Sequence, residues 1–208
     1  MAETASPVPP RMTADEFIEW SGQQPEGMHY ELIGGVIVQM AAERSEHALT
    51  KLDIAVALRL AIRSSGADCT VFGDGMAVRI DGTTVYEPDA FVHCGGRIER
   101  GIVEITDAGI AVEVLSPSTQ GRDFEDKLRD YFRLPSLRHY LIVNPETGRV
   151  VHHRRDVTSG KIETAIIGDG ALILDPPGLQ VDVADFFASL PRDGDAAADD
   201  DAGPDANA

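Results

Sequence analysis

The sequence predicts an α/β (α+β) chain: one domain with a mixed central β-sheet flanked by helices. Three observations carry this. Helical and strand periodicities alternate along the chain in the order helix, hairpin, long helix, strands, helix, strands. The stretch Ala111–Leu115 is a compact apolar strand broken by one acid, Glu113. At 208 residues and 43% hydrophobic content, the chain can bury one full core.

The elements follow in order. Residues 1–11 are Pro-rich and expected to be disordered. Met12–Trp20 reads as a short helix with Thr13 as N-cap and Glu16 closing a capping box, docked by Phe17 and Trp20. Two β-rich runs flank Gly34-Gly35, a two-residue hairpin signal. Ser45–Ser65 reads as a long helix, with Leu49, Leu52, Val56 and Leu60 as its apolar face and Gly66 as its stop. Strands are expected at 69–72, 76–80, 85–93 and 110–115. A helix is expected over Arg122–Leu134 and a strand over Leu137–Val143. Arg149–Arg155, Lys161–Ile167 and Ala171–Leu174 form a closing meander, and Val183–Leu190 a last helix. The folded domain thus spans 12–190, and 191–208 is an acidic, disordered tail.

Charge restricts function. The net charge is −17; six Asp and one Arg give the tail −5 of this, leaving −12 on the rest. Such a balance opposes non-specific nucleic-acid binding, which depends on Lys and Arg neutralising phosphates. No apolar run reaches the roughly 20 residues of a spanning helix. The N-terminus has neither the basic nor the apolar region of a signal peptide. Cys69 and Cys94 lack metal-type spacing, so free thiols in a reducing cytoplasm are expected.

Two acids stand out. In VYEPDAFV, strand alternation puts Val85, Glu87, Asp89 and Phe91 on one side, and Pro88 marks a strand start, an edge or a bulge. Glu113 sits inside an apolar strand, where an ionised carboxylate is costly unless it is paired or bound to a metal. A structural ion pair would explain it equally well from this segment alone. Together, Asp89 and Glu113 could present two carboxylates to a hard divalent cation, which activates water and stabilises charge on a phosphoryl oxygen.

The blocks YELIGG, a His opening the long helix, PDAFV, VEVLSPST, a D-x-x-K-x-x-x-Y helix and HYLIVNP resemble the Uma-type family of restriction-endonuclease-like proteins, within the PD-(D/E)XK nuclease superfamily. The resemblance runs from about Met12 to about Phe187. It implies a restriction-endonuclease-like core and a Mg²⁺- or Mn²⁺-dependent endonuclease acting on nucleic acid, DNA rather than RNA. By the same resemblance Asp89 and Glu113 are metal ligands, with the carbonyl of Val114 as a third. Leu115 stands where the superfamily has Lys, and Lys127 matches the family's substitute on the next helix. Glu31 and His47 match a family acid and a family His. Asn144 departs from the Asp that the family often has before Pro.

Each residue also has a structural explanation. Lys127 can pair with Asp123 or Asp130 along its helix. Glu31 can pair across the hairpin. His47 can be a polar residue of a first turn, Tyr131 reads as core packing, and His152-His153 reads as a strand pair facing opposite sides, without metal-ligand company. Arg122, Lys127, Arg129, Arg133 and Arg138 could meet phosphates, or pair with the acids among them. A catalytically inactive binding module for nucleic acid or a protein partner is the alternative function. A homodimer is the expectation carried by nucleases of this type.

Overall fold

The computed structural model describes residues 11–116 and 122–191. The expected disordered ends, Arg11 and Pro191 apart, lie outside them. So do the side chains of Arg122, Asp123 and Phe124.

Chain order begins with α1 (Ala14–Ser21), the hairpin β1 (Tyr30–Ile33) and β2 (Val36–Gln39), and α2 (Ser45–Ser65). Strands β3 (Cys69–Gly73), β4 (Ala77–Arg79), β5 (Val85–Tyr86), β6 (Ala90–Cys94), β7 (Glu104–Ile105) and β8 (Ala108–Val114) follow. After α3 (Arg122–Tyr131) come β9 (His139–Asn144), β10 (Arg149–Arg155), β11 (Ile162–Ile167), β12 (Ala171–Leu174), β13 (Leu179–Asp182) and a 3₁₀ turn, Val183–Phe187. The local signals explain the ends. Thr13 Oγ1 accepts from Glu16 N while Glu16 Oε2 accepts from Thr13 N. Gly34 and Gly35 both take positive φ, as the tight hairpin requires.

The central sheet is mixed, in the order β11-β10-β9-β8-β6-β3, with β8 and β9 parallel and its other pairs antiparallel. A second sheet, β2-β1-β5-β4-β7, carries the hairpin, and β12-β13 stands alone. Alternation sorts the central strands between two cores. Ile110, Val112, Val114, Leu141 and Val143 face α2 and the β12-β13 ribbon. Ala111, Tyr140 and Ile142 face the other way, towards Tyr131 and Leu134. Glu113 follows the second parity, which aims it at α3.

Four expectations change. The predicted strand 85–93 is two strands in two sheets: β5 pairs with β1 and β4, and β6 with β3 and β8. Pro88 stands between them and Asp89 just before β6, so the chain changes sheets at the acid. On α2, Leu49, Leu52, Val56 and Leu60 are 37%, 60%, 48% and 58% exposed, so they are not the core face. That face is Ile54, Ala57, Leu58, Ala61 and Ile62, whose alanines let the helix lie close to the sheet. Cys69 and Cys94 are not free: the antiparallel register sets them opposite each other, 4.1 Å apart at Cα, and they are disulfide-bonded. That partner across the sheet is invisible in the spacing, and the thiol argument for a reducing compartment falls with it. The last helix is a single 3₁₀ turn started by Asp182, which accepts from Ala184 N. No helix among the described residues is long and apolar enough to cross a membrane.

Candidate metal centre

The six residues singled out in the sequence come from β1, α2, the Pro88 crossing, β8 and α3. The fold brings them to one end of the central sheet. Lys127 Nζ reaches inward from α3 and donates to Glu31 Oε1 at 2.9 Å and to both oxygens of Glu113 at 3.1 and 3.0 Å. Of the helix-surface partners open to it in the sequence, the Asp123 side chain lies outside the described residues, and Asp130 instead accepts from Tyr86 Oη at 2.8 Å. Glu31 does not pair across the hairpin either; it accepts from Glu87 N as well as Lys127. Tyr131, fully buried, is both packing and partner, since its hydroxyl donates to Glu113 Oε1 at 2.7 Å.

Asp89 lies beside this group and is held differently. Its Oδ2 accepts from Val114 N at 2.6 Å, which locks the end of β8 to the crossing. His47 Nε2 is 3.0 Å from the Val114 carbonyl oxygen, so the proton on Nε2 is donated to it, and 3.6 Å from Asp89 Oδ2. The Val114 carbonyl therefore points into the site. His47 is the first-turn residue expected in the sequence, now with defined partners.

Three members escape sequence reasoning. Lys51 Nζ donates to Glu43 Oε1 at 2.5 Å and Asp74 Oδ2 at 2.7 Å, and stands 3.3 Å from Asp89 Oδ1. Donor atoms of Glu43, His47 and Asp89 lie within 4.8 Å of one another, close enough to share an ion. One signal was available for Lys51. It is one of three lysines in the chain and follows His47 by four residues, one helical turn.

The electrostatics follow from burial. Burial raises Glu31, Asp89 and Glu113 above the usual carboxylate range, and the lysines oppose it. Burial alone would lower Lys127; Glu113 and Glu31 outweigh it and hold its pKa above the ordinary lysine value. Three buried acids, Glu31, Asp89 and Glu113, stand against two buried ammonium groups, Lys127 and Lys51, so the acids outnumber the cations. Hard oxygen donors in that excess, with the Val114 carbonyl among them, fit a divalent cation. As they stand, the oxygens of Glu113 are taken by Lys127 and Tyr131, and Asp89 faces Lys51 and Val114 N. Elsewhere, Asn144 Oδ1 caps the β9–β10 turn by accepting from Glu146 N and Thr147 N. Arg129 pairs with Asp126 and Asp130, and Arg133 with Asp81 and Asp130.

The family model Uma2, described as "Putative restriction endonuclease", matches residues 14–186. The chain belongs to the Uma2 family. That match includes every residue of the centre just described. Two uncharacterized proteins of Synechocystis are similar to this Uma2 chain. One is 28% identical over 149 residues, covering 71% of this chain and 76% of the relative. The other is 24% identical over 165 residues, covering 78% and 91%. A crystal structure from Anabaena variabilis, titled as "a putative nuclease belonging to DUF820", superposes with a TM-score of 0.65 at 18% identity, covering 85% of this chain and 98% of that one. The likeness establishes a shared fold.

Proposed function

We propose that this Uma2 protein is a divalent-metal-dependent endonuclease that hydrolyses phosphodiester bonds of DNA. The observation that carries the reading is Lys127: from α3 its side chain reaches Glu31 on β1 and Glu113 on β8 beside Asp89, an acid–acid–lysine set drawn from three separate elements. Asp89, Glu113 and the Val114 carbonyl would hold Mg²⁺ or Mn²⁺. Such an ion supplies a more acidic bound water and a counter-charge for the phosphoryl oxygen.

The chain's own residues do the rest. Glu31 and Glu113 keep Lys127 protonated, so it can orient the attacking water and offset negative charge that grows on phosphorus. Tyr131 fixes the rotamer of Glu113, and His47 fixes the direction of the Val114 carbonyl. Metal-dependent nicking of plasmid DNA tests the reading. Wild type should nick with Mg²⁺ or Mn²⁺, and Asp89→Ala and Glu113→Gln should abolish it. A wild type that neither cleaves DNA or RNA across several pH values nor binds either metal would end it.

The net charge of −17 favours a second reading, a nuclease fold kept as a binding module without turnover. Its partner affinity would survive neutralisation of both acids, whereas nicking would not.

A further inference from the structure

We infer that Tyr86 is a positioning residue for Lys127, its ring carrying the Lys127 ammonium and its hydroxyl pinning α3 at Asp130. Tyr86 ends β5, three residues before Asp89, so one short segment delivers both to the centre. Lys127 Nζ lies over the Tyr86 ring, 5.1 Å from its centroid. The Tyr86 hydroxyl donates to Asp130 Oδ2 at 2.8 Å. Lys127 and Asp130 are three residues apart on α3 and share a face, so Tyr86 holds that face at two points. The other oxygen of Asp130 is left to Arg129, 3.3 Å away. The Tyr131 ring packs beside that of Tyr86, with centroids 5.3 Å apart.

Packing alone does not account for this arrangement. A phenylalanine would fill the same space; a buried tyrosine needs a partner for its hydroxyl, and the buried Asp130 supplies it. An ammonium within about 6 Å of a ring centroid is attracted by the ring's quadrupole, most strongly where water is excluded. Lys127 and Tyr86 are both buried, so that condition holds. The ring also does what the acids cannot. In the proposed reaction Glu113 serves the ion as well as Lys127, whereas a ring face attracts the ammonium without being a hard oxygen ligand. Tyr86 thus keeps Nζ in place while Glu113 is shared. The effect on turnover rests on the nuclease reading; the contact itself does not.

The test compares the full chain with Tyr86→Leu, which removes the ring, and Tyr86→Phe, which keeps it. Isotope-labelled lysine gives separate nuclear magnetic resonance signals for the three lysines of the chain, and Lys127→Arg assigns its own. In metal-free wild type the Lys127 ε-methylene protons should stand upfield of those of the exposed Lys161, shifted by the ring. Tyr86→Leu should move them back towards the Lys161 position, and Tyr86→Phe should not. With Mg²⁺ or Mn²⁺, Tyr86→Leu should lower kcat for nicking at least about tenfold with KM for DNA little changed, since a misplacement of about 1 Å can cost a hundredfold. Tyr86→Phe should hold kcat within about fivefold of wild type, the cost of one hydrogen bond. An unmoved Lys127 signal in Tyr86→Leu, or a Tyr86→Phe protein as slow as Tyr86→Leu, overturns the inference. If Tyr86→Leu does not fold, the wild type decides: nuclear Overhauser contacts between the Lys127 ε-methylene and the Tyr86 ring support the inference, and their absence overturns it. A wild type that nicks no DNA ends the nuclease reading and leaves the spectra to decide the contact.

Discussion

Lys127 and Lys51 are each about as buried as the other, 6% and 7% exposed, and each gathers carboxylates. Their surroundings differ. The partners of Lys127, Glu31 and Glu113, are themselves buried, and a buried tyrosine completes the group. Lys51 has one buried partner, Asp89, while the Glu43 and Asp74 side chains are 31% and 41% exposed. The first group is closed, so its charges must cancel within the protein. The second is open, so water shares the work. A closed group holds geometry, as a reacting centre requires; an open one can exchange ions with solvent.

The largest expected effect follows from closure. Lys127→Met strands two buried carboxylates and should cost about 3–5 kcal/mol, read from denaturant midpoints. Adding Glu113→Gln to Lys127→Met should recover part of that loss. A Lys127→Met protein as stable as wild type would erase the distinction. Lys51→Met should cost less, about 1–2 kcal/mol, because two of its three acids keep water. Tyr131→Phe should cost about 1 kcal/mol and, by loosening Glu113, should lower nicking more than it lowers stability. Arg129→Ala, at an exposed ion pair, should change stability by less than about 0.5 kcal/mol.

The acids also set a pH dependence. Burial raises Glu113 in the folded state, so that state binds the extra proton. Its contribution is present below the ordinary carboxylate pKa of 4.5 and is lost as pH rises through the raised value. Glu113→Gln removes this loss. Its stability relative to wild type should therefore increase with pH in metal-free buffer, measured as the difference in Tm. His139 and His152 act in the opposite sense. They hydrogen-bond each other at 2.9 Å, and burial, the main cause for both, lowers each to about 4. Stability held by their neutral forms is lost as pH falls from 6.5 towards 4.

What could be read from the sequence divides along the range of the interaction. Local signals held: the Thr13–Glu16 box, the Gly34-Gly35 hairpin, and an acid misplaced in an apolar strand at Glu113. Lys127 was legible through its block, although only the fold shows it turning from Asp130 to Glu31. Long-range partners were not legible. Nothing near Lys51 in sequence announces Asp74 or Asp89, and nothing near Cys69 announces Cys94. The α2 face was misread because large apolar residues were counted, whereas close packing on the sheet selected Ala57 and Ala61. Pro88 signalled an interruption; that the chain there passes from one sheet to another is a fact of topology.

The burial of Lys51 and Lys127 has a practical side. The chain holds three lysines, and the third, Lys161, is exposed beside β11, the edge strand of the central sheet. An amine-directed acylating reagent, offered to the folded protein, therefore meets one accessible lysine side chain. Dyes, tethers or surfaces attached through Lys161 would leave both buried ammonium groups untouched. Labelling of a second or third lysine would then report directly that the acid-lined end of the molecule has opened.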